Sequence, residues 1–129
     1  MNNTEKILEK LSGTIEDRGE LPSVSDYETL EAAILKYGAE NQIDMAIEEM
    51  SELTKALLKE QRQAKKGFDV SAAETFEMLE DDISEEMADV IIMLVQLQMI
   101  FNNKEEVSRY INSKVERLKV RMGGGNGNA

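Results

Sequence analysis

Residues 84–101, SEEMADVIIMLVQLQMIF, are the stretch that decides the fold of this chain. Most residues from 87 to 101 are apolar, which predicts a helix that is hydrophobic on all sides and therefore buried. At about 3.6 residues per turn, Glu86, Asp89 and Gln96 lie on one side of that helix. Two carboxylates at the end of a buried helix are costly unless a cation or a partner neutralises them. The stretch therefore predicts a central helix with a positively charged group beside it.

A second acidic motif lies earlier in the chain, where Glu48, Glu49 and Glu52 form the pattern EExxE. It falls within a long predicted helix over residues 42–66, for which Asn41 is the expected N-cap. The apolar residues of this helix recur every three or four positions and predict one buried stripe, formed by Ile43, Ala46, Ile47, Met50, Leu53 and Leu57. Glu49 and Glu52 are neighbours on the helix surface and flank that stripe.

The central helix repeats the spacing, because Glu85, Glu86 and Asp89 form EExxD. Antiparallel packing of the two helices would bring Glu49 and Glu52 together with Glu86 and Asp89. Four carboxylates suit one or two hard divalent cations, and Mg²⁺, Mn²⁺ and Ca²⁺ are the metals that such oxygen ligands favour. One ExxE motif is more often part of a solvated helix face. The second motif favours a metal site, because its helix is apolar on almost all sides and has little solvated face on which carboxylates would be expected.

Composition excludes several classes of function. The chain has 129 residues, 41% of them hydrophobic, with 26 acidic against 15 basic residues and a net charge of −11. This balance argues against a nucleic acid polymer as partner. The absence of Cys and His excludes a thiolate zinc site, a cysteine nucleophile and a di-iron carboxylate bundle, which needs a Glu-x-x-His element. A metal must therefore be held mainly by oxygen ligands.

The first third of the chain shows further helix signals. A short helix is expected from Thr4 as N-cap to about Leu11, ended by Gly13, and residues 13–24 are expected to form a connector. The next predicted helix begins at a capping box and ends at a glycine, the residues concerned being Ser25, Glu28 and Gly38.

After the long helix, which Gly67 is expected to end, Ser71 and Glu74 form a possible capping box for a short helix near residues 72–81. Ser84 is expected to start the central helix. Asn103 with Glu106 is expected to start the last one, whose apolar face consists of Val107, Ile111, Val115, Leu118 and Met122. The prediction is all-α, a bundle of four main helices with minor additional helices. It forms a single domain over residues 1–122, with an N-terminal extension to about residue 24 and a disordered tail over 123–129.

The two acidic motifs together resemble those of the MazG-like all-α nucleoside triphosphate pyrophosphohydrolases. Three further elements fit: Gln42 before the first motif, Gln96 seven residues after the motif Asp, and a late Asn-x-Lys-x-x-Arg element formed by Asn112, Lys114 and Arg117. The resemblance covers residues 37–118. The chain departs from the family in the longer interval between its motifs and in having Gln, not Asn, at position 96.

This resemblance implies Mg²⁺-dependent hydrolysis of a nucleoside triphosphate, a dNTP or modified NTP, to the monophosphate and pyrophosphate. It implies metal ligation by Glu49, Glu52, Glu86 and Asp89. Glu48 is a candidate for orienting the attacking water or for supporting a ligand carboxylate. Glu48 and Glu49 are the predicted catalytic residues. The predicted substrate contacts are Lys55, Gln96, Asn112 and Lys114. Family members usually form dimers or larger assemblies, so a homodimer or homotetramer is expected.

Two other classes of function remain open. The chain would also suit an acidic helical interaction module, or a family member that binds nucleotide or metal without catalysis. Its N-terminal residues do not resemble a signal peptide, and the apolar run over 90–101 is shorter than the roughly 20 residues needed to span a bilayer. A cytoplasmic protein with no membrane partner is therefore expected.

Overall fold

The computed structural model describes residues 2–66 and 72–123, and within these ranges it contains six helices and no strand. The predicted all-α class is confirmed for this part of the chain. The helices are α1 (Asn3–Lys10), α2 (Ile15–Gly19), α3 (Tyr27–Tyr37), α4 (Ala39–Lys66), α5 (Ala72–Phe101) and α6 (Lys104–Gly123). The predicted helix end at Gly67, the capping residue Ser71 and the tail from residue 124 onward lie outside the described residues.

The N-terminal extension contains two short helices, and its side chains from residue 4 to 23 are all exposed. Asn2, not Thr4, caps α1, because its side chain accepts from the backbone N–H of Glu5 at 2.8 Å. The predicted connector is partly helical, since Thr14 starts α2 with a second capping box. Ser, Thr, Asp and Asn compete for such positions, and sequence alone does not decide which of them adopts the extended backbone of the cap.

The start of α3 corrects a second predicted cap. Asp26, not Ser25, is the N-cap, and its carboxylate accepts from the backbone N–H of Thr29 at 3.0 Å and from the Thr29 hydroxyl at 2.6 Å. The hydroxyl bond, followed by the backbone bond, lowers the pKa of Asp26 below its ordinary value of 3.8. The predicted helix end at Gly38 is confirmed, and its φ of 93° explains the glycine.

The first turn of α4 begins immediately after Gly38, three residues earlier than predicted. Asn41 is therefore not an N-cap. Its side-chain amide donates instead to the carbonyl of Tyr37 at 2.7 Å, which satisfies a carbonyl at the end of α3. The change of direction from α3 to α4 thus occurs at a single glycine, beside one hydrogen bond from the Asn41 side chain.

The two helices predicted over residues 72–81 and from Ser84 onward are one continuous helix, α5. Ser84 lies in its middle, where its hydroxyl donates to the carbonyl of Glu80 at 3.0 Å. A serine inside a helix can form this bond to the preceding turn and then does not act as a cap. Neither glycine nor proline interrupts residues 72–101, so nothing in the chain ends the helix earlier.

The packed part of the molecule consists of α3, α4 and α5. Helices α4 and α5 run antiparallel, because Gln42 near the start of α4 meets Gln96 near the end of α5. Among the side chains that the structure describes, the buried apolar ones are Ala46, Ala56, Leu79 and Met93. The core is therefore narrow and lies between α4 and α5, and we refer to this buried strip as the seam.

The buried stripe of α4 differs from the predicted one. The residues that face the seam are Gln42, Ala46, Glu49, Leu53 and Ala56, at alternating spacings of four and three, and all are buried or half-buried. Ile47, Met50 and Leu57 were expected in the stripe and are exposed. The predicted stripe followed the largest apolar residues, whereas the seam uses small ones that let the helices approach closely. Glu49 consequently lies on the packed face and does not flank it.

Much apolar surface remains uncovered on α5 and α6. The central helix was expected to be buried all round, yet Met87, Ile92, Leu94 and Phe101 are between 37% and 59% exposed. No residue of α6 is buried, and its predicted apolar face is exposed from residue 111 onward. Asn103 does not form the predicted capping box, because its buried side-chain oxygen Oδ1 has no hydrogen-bond partner. Along residues 2–66 and 72–123, none of the helices is long and apolar enough to cross a membrane.

Candidate metal centre

Three carboxylates from the two seam helices converge on one point. One carboxylate oxygen from each of Glu49, Glu86 and Asp89 lies within 4.8 Å of the other two, and all three side chains are half-buried. Glu49 comes from α4, whereas Glu86 and Asp89 are one turn apart on α5. Antiparallel packing brings them together, because Glu49 and Glu86 occupy facing positions of the seam. We refer to these three residues as the carboxylate triad.

The triad carries the electrostatic signature of crowded negative charge. Partial burial is the main cause that raises the pKa of Glu49 above its ordinary value of 4.5, and the charges of Asp89 and Glu86 raise it further. Partial burial likewise raises the pKa of Glu86 above 4.5, followed by the charges of Asp89 and Glu52. In both cases the ionised form is disfavoured. The fold therefore holds these carboxylates together at an electrostatic cost.

One oxygen of the triad lacks a hydrogen-bond partner within the described part of the chain. It is Oε2 of Glu86, which is buried. A buried carboxylate oxygen without a donor costs free energy, and such atoms are rare in folded proteins. A divalent cation bound between the three carboxylates would satisfy this oxygen and offset the repulsion. The donor set, carboxylate oxygens with room for water, fits a hard cation such as Mg²⁺.

The fourth predicted ligand, Glu52, lies at the edge of the triad. Its charge raises the pKa of both Glu49 and Glu86, so it is close to both. Its carboxylate also accepts from Nζ of Lys55 at 3.3 Å. Glu48 is exposed and close enough for its charge to raise the pKa of Glu49. Glu85 is exposed on α5. In each motif, the residues of the triad are half-buried, whereas Glu48 and Glu85 are exposed to solvent.

The predicted substrate contact Gln96 is 3% exposed and bonded within the protein. Nε2 of Gln42 donates to its Oε1 at 2.7 Å, and its own Nε2 donates to the carbonyl of Leu30 at 3.5 Å. These hydrogen bonds link α4, α5 and α3 about two turns from the triad, because Gln42 and Gln96 are each seven residues from the nearest triad residue. Their first role in the structure is to set the register of the three helices, and contact with a substrate stays a prediction.

The predicted substrate contacts on α6 lie on a helix that has no substantial packing against α4 or α5 in the described part of the chain. Asn112 and Lys114 are exposed, as is every side chain from residue 108 to 123. The charges that raise the pKa of Glu49 and of Glu86 come from α4 and α5. Lys55 is the one predicted substrate contact that lies beside the triad with an exposed side chain, through its ion pair with Glu52.

Sequence reasoning left three residues out of the site. A cleft next to the triad is lined by Ala56, Leu79 and Asp82 in addition to Glu52, Lys55, Lys59 and Glu86. Lys59 was expected together with Lys55, because both follow Glu52 on one helix and could reach phosphate oxygens. Spacing contains the signal for Asp82, which precedes Glu86 by four residues. Ala56 and Leu79 have no such signal, since their place depends on how α5 packs against α4. Comparison with known proteins identifies no matching family model, curated protein or solved structure.

Proposed function

We propose that this chain is a Mg²⁺-dependent hydrolase that splits a nucleoside triphosphate, a dNTP or a modified NTP, into the monophosphate and pyrophosphate. The observation that carries the proposal is the convergence of carboxylate oxygens from Glu49, Glu86 and Asp89, one of which, Glu86, also has a buried oxygen without a hydrogen-bond partner among the described residues. The resemblance of the two acidic motifs to MazG-like pyrophosphohydrolases supports the same reaction. Mn²⁺ is the expected substitute for Mg²⁺.

Each acidic residue has a role in this proposal. Glu49, Glu86 and Asp89 would hold the cation, and Glu52 at the edge of the triad would support it. When bound there, the cation would supply positive charge for the phosphates and would lower the pKa of a water molecule. Glu48, which is exposed beside Glu49, orients the attacking water and accepts its proton. The water oxygen bonds to the α-phosphorus, the bond from that phosphorus to the α,β-bridging oxygen breaks, and pyrophosphate leaves with the bridging oxygen.

The test is release of pyrophosphate from a panel of unmodified and modified dNTPs and NTPs in the presence of Mg²⁺. We expect release of pyrophosphate together with the monophosphate from at least one member, and none when EDTA replaces Mg²⁺. Release of inorganic phosphate alone would indicate cleavage at a different bond. No turnover of any nucleotide, with Mn²⁺ binding retained, would favour an interaction module or a nucleotide-binding protein without catalysis.

We further propose that the protein acts as a homodimer or homotetramer, in which α6 completes the site of another copy and the bundle of four main helices. Exposed apolar residues on α6, among them Ile111 and Val115, support this assembly. Charge supports it too, because α6 has six basic and three acidic residues in a chain of net charge −11. In such an assembly Asn112 and Lys114 of a second copy approach the triad.

The assembly predicts a defined effect of charge on the apolar face of α6. Ile111→Asp combined with Val115→Asp is expected to produce a monomer, because two carboxylates would have to be buried in the interface. Light scattering coupled to gel filtration should give a multiple of the 14.5 kDa chain mass for the wild type and the chain mass itself for the double variant. Ser113→Asp, on the other side of the same helix, is the matched control and should keep the wild-type mass. A monomeric wild type at high concentration would contradict the proposal.

A further inference from the structure

The cleft beside the carboxylate triad has a volume of about 220 Å³ and shares Glu52 and Glu86 with the metal centre. Its floor is apolar, formed by the buried side chains of Ala56 and Leu79. Above that floor stand two exposed lysines of α4, Lys55 and Lys59. The cleft therefore continues the acidic centre in one direction along α4, with cationic groups on its rim.

Basic residues lie on only one side of the triad along the helix pair. Helix α5 contains no Lys or Arg, and all five basic residues of α4 follow Glu52 in the sequence. Toward the other end of the pair, the seam contains the neutral amides of Gln42 and Gln96. Within the α4–α5 pair, an anion that binds across the triad therefore meets compensating charges only in the direction of Lys55 and Lys59.

The two lysines are arranged to bind an extended anion. They are four residues apart, so they lie on one face of α4 with an axial separation of about 6 Å. Lys55 is held only by an ion pair with Glu52, in which the two side chains are 66% and 44% exposed. Exposed pairs of this kind contribute little to stability. Lys55 can therefore turn from Glu52 to a phosphate at small cost, above all when a cation occupies the Glu52 carboxylate.

A third carboxylate in the cleft, Asp82, limits which anions the cleft accepts. With Glu52 and Glu86 it gives three acidic against two basic residues on the lining. A free anion is thus repelled from the cleft in the absence of metal. A polyphosphate that binds together with Mg²⁺ is not repelled, because the cation offsets the negative charge of the carboxylates.

We propose that this cleft is the subsite for the β- and γ-phosphates, with Lys55 and Lys59 as their cationic contacts. The inference rests on the proposed function and gives it a direction: the α-phosphate lies at the triad and the leaving pyrophosphate lies along α4. It follows that the site binds nucleoside triphosphates more tightly than monophosphates, because only triphosphates have the β- and γ-phosphates. It also follows that pyrophosphate binds to the cleft without the nucleoside when Mg²⁺ is present.

Calorimetry with inorganic pyrophosphate as the probe, in the presence of Mg²⁺, tests this subsite on the full chain. A hydrogen bond to a charged group contributes enough that Lys55→Ala and Lys59→Ala should each weaken pyrophosphate binding by about tenfold, and the double variant by about a hundredfold. Mn²⁺ binding should stay unchanged in all three, because lysine is not a ligand for hard cations. Lys65→Ala, on the same helix outside the cleft, is the matched control.

The possible outcomes distinguish failure of the proposed phosphate subsite from failure of the proposed hydrolase activity. Wild-type protein that does not bind pyrophosphate, or a double variant that binds it as well as Lys65→Ala does, would overturn the subsite even if nucleotides are hydrolysed. Lysine-dependent binding of pyrophosphate with no turnover of any nucleotide would keep the subsite and reject the hydrolase. Loss of binding in the double variant together with a raised KM for the triphosphate would support both.

Discussion

Glu49→Gln is expected to abolish metal binding and to lower turnover by at least about a hundredfold, because it removes one of three charges that converge on the cation. The substitution keeps the size of the side chain, so the seam between α4 and α5 should pack as before. Without metal the variant should be as stable as the wild type or more stable, since the pKa of Glu49 is already raised by burial and by the charges of Asp89 and Glu86. Calorimetry with Mn²⁺ and a pyrophosphate-release assay measure the two effects.

Glu60→Gln is the matched control for this experiment. Glu60 is a half-buried carboxylate on the same helix, three turns beyond the triad, and its replacement should change neither Mn²⁺ affinity nor turnover. Asp89→Asn should behave like Glu49→Gln, because it removes a triad charge from the opposite helix. Turnover near the wild-type rate in both triad variants would exclude these carboxylates from the metal centre. Loss of folding in Glu49→Gln, detected by circular dichroism, would instead indicate a structural role for the charge.

The second large effect is expected on thermal stability. A cation that binds the folded chain and not the unfolded chain stabilises it by about 2.7 kcal/mol at a concentration of one hundred times its Kd. For a chain of this length that corresponds to a rise in Tm of roughly 10 °C. Melts of the wild type in EDTA and in saturating Mn²⁺ measure the shift, and Glu49→Gln should lose most of it. Equal Tm values in the two conditions would contradict a formed site.

The raised pKa values add a dependence on pH whose sign can be stated. Because the pKa of Glu49 and of Glu86 is higher in the folded state than its ordinary value of 4.5, the folded chain binds protons more readily in the interval between the two values. The contribution of these groups to stability without metal therefore falls as pH rises through that interval. Protons also compete with the cation, so the stabilisation by Mn²⁺ should weaken as pH is lowered toward it. Glu49→Gln should flatten both dependences, whereas Glu60→Gln should leave them as they are.

The helical class and much of the chemistry of the candidate site were predictable from local patterns. Spacings of three and four residues determine which side chains share a helix face, and this put Glu49 with Glu52 and Glu86 with Asp89 before any packing was known. Gly38 ended a helix as predicted, because a positive φ at that position favours glycine over other residues. The absence of His and Cys likewise left oxygen as the main ligand for any metal.

Local patterns were less reliable where several residues of one kind compete. Asn2 and Asp26 cap helices for which a neighbouring residue was expected, and Ser84 bonds to the preceding turn in the middle of a helix that it was expected to start. Each of these side chains can satisfy a backbone group in more than one way. The choice depends on backbone angles that the whole element adopts.

The sequence by itself determined that the chain is helical and that two helices carry acidic motifs with the same spacing. Only the tertiary structure decided that Glu49 and Glu86, 37 positions apart, meet across a seam, that an oxygen of Glu86 is buried there without a partner, and that α6 stays exposed. Side chains within one helix are related by its fixed geometry, whereas side chains on different helices meet according to register. Here the register follows small residues such as Ala46 and Ala56 and the buried amides of Gln42 and Gln96, not the largest apolar side chains.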